Sequence, residues 1–316
     1  MADPVRIFVG ADRSQLFAVR VLEHSIRRHT DLPVELTSMH DLALPEPRDP
    51  RNWARTGFSF ARFAIPALCG HAGRAIYLDA DMLVFGDVAE LWHMPFDGAK
   101  VIVQEELTGG EGRPAKPGAT RRRRKQCSVM VLDCGALDWR VEEVVAGLDG
   151  TYDYAALMEE LCILDEAEIS HALPFRWNSL EHYVASETRL LHYTDMGTQP
   201  WVSPDNPLGH LWTAELRAML AAGAVDMSEI EAEIGNGYLR PSLRDELAED
   251  VRDRPPPAEA VARYRDRDRA AGFVQHAELM AKLTRRKAEM HARTGAAGAM
   301  HALLDGLARG LRRLAG

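Results

Sequence analysis

The chain has 316 residues, 46% hydrophobic and 27% charged, enough to bury a sizeable core and ordinary for a globular fold. Its formal net charge of −9 argues against general nucleic-acid binding, which needs a basic footprint. The charge is uneven: residues 261–316 carry 12 Lys/Arg against 5 Asp/Glu, about +7, which leaves about −16 for the remainder. Any anionic substrate would therefore need a locally positive device. No apolar run approaches the roughly 20 residues that span a bilayer. The start, "MADPVRIFVGAD", enters a strand at once without a basic leader or small-residue cleavage site, so no signal peptide is expected. Cys69, Cys127, Cys134 and Cys162 lack metal-knuckle spacing and sit among apolar residues, which predicts reduced core thiols and a cytoplasmic setting.

In chain order, "VRIFVGAD" reads as a buried strand ending in Gly-Ala-Asp. "SQLFAVRVLEHSIRRHT" has helical periodicity at Leu16, Val19, Leu22 and Ile26, with Ser14 as the candidate N-cap. "LPVELTSM" is a second strand, and "SFARFAIPALC" is a short helix beyond a Pro-rich loop. "AIYLDADMLVF" reads as one strand. "DVAELW" then opens a helix, with Asp87 and Glu90 at capping-box spacing. "AKVIVQEEL" and "CSVMVLDC" are strands either side of a Gly/Pro-rich, then basic, loop. "LDWRVEEVVAGL" and "YDYAALMEELCILDEAEISHAL" are helical, and "FRWNSLEHY" and "TRLLHYTDMGTQPW" are turn-rich around a short strand. Alternating strands and helices predict an α/β fold with a mainly parallel sheet covered on both faces. Ligands of such sheets sit beyond the carboxyl ends of strands, where Gly10 to Asp12 and Asp79 to Asp81 both fall and could face one crevice.

Beyond residue 240 the texture changes. "RDELAEDVRDRPPPAE" is charged and Pro-rich like a linker, and the remainder is helical, with Phe273, Ala277 and Met280 on one face. The chain is accordingly divided into residues 1–240 and an extension over 241–316.

Asp79 and Asp81 raise the chemical question. Residues i and i+2 of a strand share a face, so the two carboxylates converge, with Ala80 between them too small to crowd the backbone. Such a pair needs a basic side chain, a proton or a metal ion beside it. Oxygen ligands of this kind suit Mg²⁺ or Mn²⁺. The plainer alternative has one Asp capping a turn and the other paired with Arg62 or Arg74. "IYLDADMLV" also looks like the nucleophile strand of haloacid-dehalogenase-type phosphatases. Those normally continue with small or hydroxyl residues, where Met82 and Leu83 stand here, and carry the motif on the first strand of the domain.

Residues 5 to about 212 resemble glycosyltransferase family 8, retaining enzymes of the GT-A fold that use nucleotide-sugar donors. "IFVGAD", "SFARFAIPAL", "AIYLDADMLVFGDVAELW", "CSVMVLDCGALDWR", "LPFRWN" and "LLHYTDMGTQPW" occur in the family's order. The resemblance implies that residues 1–240 form the catalytic domain and that Asp79, Asp81 and His192 hold the ion. With an imidazole in the set, Mn²⁺ is favoured over Mg²⁺. It further implies that Gly10, Ala11, Asp12, Ser14, Ala80 and Gly197 line the site of a UDP-sugar donor, with Arg62 against its sugar or diphosphate. Gln126-Cys127-Ser128 departs from the family's Asn-Ala-Gly. Asp165 and Glu166 align with its Asp-Gln near the reacting carbon and are the candidate stabilisers of an oxocarbenium-like centre. Gln199 stands where the family has a Lys that meets the diphosphate. Gln carries no charge, so Arg176, or Arg121 to Lys125, would have to compensate.

The implied function is hexosyl transfer, with retention, to the hydroxyl of a glycan, a lipid-linked sugar or a protein. The alternative is a degenerate, nucleotide-binding regulatory protein on the same scaffold. The basic C-terminal helices have three readings: packing on the catalytic domain or a second subunit, peripheral docking of "LLDGLARGLRRL" on anionic lipid, or binding of a protein acceptor.

Overall fold

The computed structural model describes residues 3–53, 56–106, 124–249 and 254–289, with 292 and 295. In chain order the strands are β1 (Val5–Gly10), β2 (Val34–Ser38), β3 (Arg74–Asp79), β4 (Met82–Val84), β5 (Val101–Glu106), β6 (Arg124–Asp133), β7 (Ile169–Ser170), β8 (Ser179–Leu180) and β9 (Leu190–His192). A central six-stranded sheet runs β2-β1-β3-β6-β5-β7, and a small one runs β4-β9-β8. β1 pairs parallel with β2 and β3, and β5 with β7, while β6 runs antiparallel between β3 and β5. The sheet is thus mainly parallel, with one reversed strand.

Strand periodicity builds two of the three cores. Phe8, Tyr77, Val103, Met130 and Leu132 point to one face, packed with Phe60, Phe63, Trp139 and helices α4 (Val141–Gly147) and α5 (Tyr154–Glu160). Ile7, Val9, Ile76, Leu78 and Val131 point to the other, under Leu22 and Ile26 of α1 (Leu16–Arg28) and Leu91 of α3 (Ala89–Trp92). The third core lies between α1, the small sheet and helices α6 (Gly209–Ala221), α7 (Met227–Gly235) and α8 (Leu243–Ala248), around Trp201 and Trp212. Each such indole is worth about 3–5 kcal/mol against truncation to Ala. α2 (Ile65–Leu68) follows a 3-10 turn, and α9 (Ala258–Ala270) and α10 (277–289) complete the C-terminal region.

Several local expectations are revised. Asp12, not Ser14, caps the first helical segment: its Oδ1 accepts from the Ser14 amide at 2.9 Å and the Ser14 hydroxyl at 2.5 Å. Asp87 does accept from the Ala89 amide (2.9 Å), but Glu90 does not close the box. Its carboxylate is drawn instead to Arg176 and the Trp177 indole. The long helix expected after Tyr152 ends at Glu160, because Leu161 takes a left-handed φ of 48° and the chain then turns into β7. Cys162 is exposed, since it lies in that turn rather than in a core. In the last helix the inward residues are His276 and Leu279, while Ala277 and Met280 face solvent. The basic loop residues 121–123 and the segment "LLDGLARGLRRL" lie outside the described residues. Among the described residues no helix is long and apolar enough to cross a membrane.

Candidate active site

The run "AIYLDADMLVF" is two strands, not one. β3 ends at Asp79 in the central sheet, residues 80 and 81 form a bend, and β4 begins at Met82 in the small sheet. The change of sheet is what brings Asp81 to His192. Met82 lies opposite His192 in the antiparallel β4–β9 ladder, and the Tyr193 amide donates to the Asp81 carbonyl at 2.8 Å. Ligand atoms of Asp79, Asp81 and His192 all lie within 4.8 Å of one another.

Asp79 is gripped from within its own strand. Tyr77, two residues earlier and so on the same face, donates its hydroxyl to Asp79 Oδ1 at 2.6 Å. Arg62, only 6% exposed, reaches that oxygen at 3.6 Å, the Tyr77 hydroxyl at 3.1 Å and the Cys127 carbonyl. Gly10 lies beside Asp79 in the β1–β3 register, and a Cβ there would collide with the Tyr77 hydroxyl and press on Phe58. Only glycine leaves room for this arrangement. Burial pushes the Asp79 carboxyl above its ordinary value, with Arg62 pulling down and Asp81 adding to the rise.

Asp81 is held from the opposite side. Gln199 is fully buried and donates its amide to Asp81 Oδ2 at 2.8 Å and to the Tyr193 carbonyl at 3.1 Å. Asp81 Oδ1 is 3.0 Å from His192 Nε2 without the alignment of a hydrogen bond, and it is buried with no hydrogen-bond partner. The two atoms form an ion pair when the ring is protonated, and with the ring neutral both present lone pairs to one cation. Burial alone would depress the His192 pKa; the Asp81 carboxylate, then Asp79, outweighs it, and the ring titrates above its usual value.

Asn178 determines which ring nitrogen is available. Its Nδ2 donates to Gln104 Oε1 (3.0 Å) and Ser128 Oγ (3.1 Å), which leaves Oδ1 facing His192 Nδ1 at 3.1 Å. The neutral ring therefore carries its proton on Nδ1 and presents the Nε2 lone pair beside the two carboxylates. Two carboxylate oxygens, one of them the orphaned Asp81 Oδ1, and one imidazole nitrogen fit a divalent ion such as Mn²⁺, with further positions left for a substrate.

The structure thus brings together Asp79, Asp81, His192, Arg62, Gly10 and Gln199, with Ala80 buried in the bend and Ala11 and Asp12 continuing from Gly10. Ser14 is occupied with the Asp12 cap, and Gly197 lies in an exposed turn whose amide donates to Asp195 at 3.0 Å. Asp165 and Glu166 have partners of their own. Asp165 caps a 3-10 turn with Glu168, and Glu166 pairs with Lys125 (2.7 Å) and His171 (2.9 Å). No hydrogen bond or ion pair among the described residues links them to the carboxylate pair. Arg176 is taken by Glu90 at 3.2 Å. Sequence reasoning gave Tyr77 and Asn178 no role. Tyr77 could have been found from its i−2 spacing to Asp79, and Asn178 as a lone amide beside a buried Trp.

A mainly parallel α/β sheet with one reversed strand and an acidic pair at a strand end has the architecture of the GT-A glycosyltransferases, and the comparisons give the class. The model of "Glycosyl transferase family 8" matches residues 10–132. Protein CDI of Arabidopsis thaliana is 31% identical over 232 residues, covering 67% of this chain and 86% of that protein. Probable galacturonosyltransferase-like 6, also of Arabidopsis thaliana, is 29% identical over 177 residues, covering 44% of this chain and 49% of its own length. Among solved structures, the WbbM bifunctional glycosyltransferase shares the fold at a TM-score of 0.50 and 13% identity, over 68% of this chain and 50% of that one. The chain belongs to glycosyltransferase family 8 and is a glycosyltransferase.

Proposed function

We propose that the protein transfers a hexose, with retention, from a UDP-sugar to an acceptor hydroxyl, using Mn²⁺ held by Asp79, Asp81 and His192. The observation that carries this reading is the orphaned Asp81 Oδ1 facing His192 Nε2 inside a buried, acidic cluster. An ion there would neutralise the carboxylates and stabilise charge on the departing diphosphate. The chain's own residues do the positioning: Tyr77 and Arg62 fix Asp79, Gln199 fixes Asp81, and Asn178 fixes the His192 ring. In the transfer, the bond from the anomeric carbon to the diphosphate breaks and one to the acceptor oxygen forms on the same face. The acceptor proton passes to a leaving phosphate oxygen, so no dedicated protein base is required. Gln199 supports activity rather than degeneracy on this reading, because its amide is engaged with the carboxylate. The acceptor is a glycan, lipid-linked sugar or protein, and the setting is cytoplasmic.

The test is a screen of UDP-glucose, UDP-galactose and UDP-galacturonic acid for Mn²⁺-dependent release of UDP, run on wild type and Asp81→Asn. Release is expected with at least one donor and falls by more than about 100-fold in the variant, since even outer partners of a metal site are worth 10–100-fold. Undiminished turnover by the variant would remove the metal from the reading.

A further inference from the structure

The turn before α10 and α10 itself reach the neighbourhood of Gly10 and the acidic pair from an unexpected part of the chain. The turn leading into α10 is pinned on one side of the site, where buried His276 donates from Nε2 to the Met196 carbonyl at 3.0 Å. His276 holds a left-handed φ of 48°, a conformation a non-glycine residue keeps only when its surroundings enforce it. Phe273 packs into the third core and Leu279 is buried. Along one flank of α10, Glu278, Lys282 and Arg286 recur at four-residue spacing and so line up in one stripe. Glu278 accepts from the Tyr238 hydroxyl at 3.0 Å, and the Tyr238 ring lies under Arg13, next to Asp12. Arg286 pairs with Glu46 and sits over the Trp53 ring, on the opposite wall.

Lys282 is the middle member of this stripe, held between the two anchored ends. Its Nζ is 3.2 Å from where a Cβ on Gly57 would stand. The next residue, Phe58, has its ring edge 3.0 Å from the corresponding position on Gly10. Lys282 has no ion-pair partner among the described residues, although its stripe neighbours are both engaged. Three other cations are engaged: Arg62 with Asp79, Arg13 with Glu233 and Arg286 with Glu46. His276 supplies no charge, because burial holds its ring below the ordinary value despite the Met196 carbonyl and the Asp12 and Asp81 carboxylates. Meanwhile Gln199 is buried behind Asp81 and cannot offer a cation to a diphosphate.

We propose that α10 roofs the donor crevice and that Lys282 is the cation that meets the donor's diphosphate there. This rests on the nucleotide-sugar reading above. It supplies the locally positive device that an acidic catalytic body needs, and it takes that device from the basic C-terminal region rather than from the loop after β9. Lys282 is a binding residue here, exposed without ligand and able to swing its ammonium onto phosphate oxygens.

The experiment is calorimetric titration of wild type, Lys282→Ala and Lys282→Arg with UDP and with uridine, in Mn²⁺. The expected result is a loss of UDP affinity of about 10- to 100-fold in Lys282→Ala, the equivalent of one charge-assisted contact. Uridine binding should not change, and Lys282→Arg should recover most of the loss. Equal affinity for UDP in wild type and Lys282→Ala, or an equal loss for uridine and UDP, overturns the proposal. If wild type binds uridine and UDP alike, or neither, the nucleotide-sugar reading fails and this inference goes with it. Acetylation of the unmutated protein gives an independent readout: UDP should slow modification of Lys282 and leave Lys287, on the same helix, unaffected. Equal rates at Lys282 with and without UDP overturn the proposal as well.

Discussion

Two clusters of buried charge in this molecule are built to opposite ends. Around Arg240, every guanidinium nitrogen has an acceptor: Pro200 carbonyl at 2.9 Å, Ser242 hydroxyl at 2.6 Å and the Glu246 carboxylate. Ser242 in turn donates to both oxygens of Asp268 (2.7 and 2.8 Å), and Thr213 donates to Glu246 at 3.0 Å. That network ties the loop after β9, α6, α8 and α9 together and is closed on itself. Around Asp79 and Asp81, whose side chains are 20% and 15% exposed against 2% for Arg240 and 6% for Glu246, one carboxylate oxygen is left orphaned and two carboxylates lie within reach of a single imidazole. A satisfied buried network serves the fold; an unsatisfied one stores its unmet demand for a ligand.

The sharpest way to break the comparison is to remove one charge from each cluster. Arg240→Ala should lower unfolding free energy by about 3–5 kcal/mol, because Glu246 and Asp268 are left buried without their cation. Asp81→Asn, already expected to cut UDP release by more than about 100-fold, should change it by no more than about 1 kcal/mol, since it relieves the repulsion on Asp79. Urea denaturation of both variants decides this, and equal losses would mean that the acidic cluster is structural. Next in size is Asn178→Leu, which frees the His192 ring from its tautomer. Mn²⁺ affinity, read by calorimetry, should fall about 10- to 100-fold.

The smallest effect belongs to Glu166. Its bonds to Lys125, then His171, hold its carboxyl below the ordinary value. A depressed carboxyl contributes stability above its unfolded pKa and loses it as pH falls through the folded one. Glu166→Gln should therefore flatten the acid limb of the stability curve by under about 1 kcal/mol, since the side chain is 68% exposed, and should leave neutral-pH UDP release within about twofold. A much larger loss of release would support Glu166 as a stabiliser of the reacting centre.

The sequence by itself determined most strands of the central sheet, the acidic pair and the family. Continuous apolar runs such as "IFVG" and "AIYL" belong to strands buried on both faces, and the order of the motifs survives substitution at single positions. It also flagged the need for a cation on an acidic body. Only the tertiary structure decided where Asp81 points, because the bend that carries the chain from one sheet to the other leaves no periodic signature. It alone revealed Gln199 as a brace on Asp81, 118 residues away in sequence. Likewise, only the folded chain brings Lys282 to Gly57, whose neighbour Phe58 abuts Gly10, since three sequence-distant segments meet there through packing that no local pattern encodes.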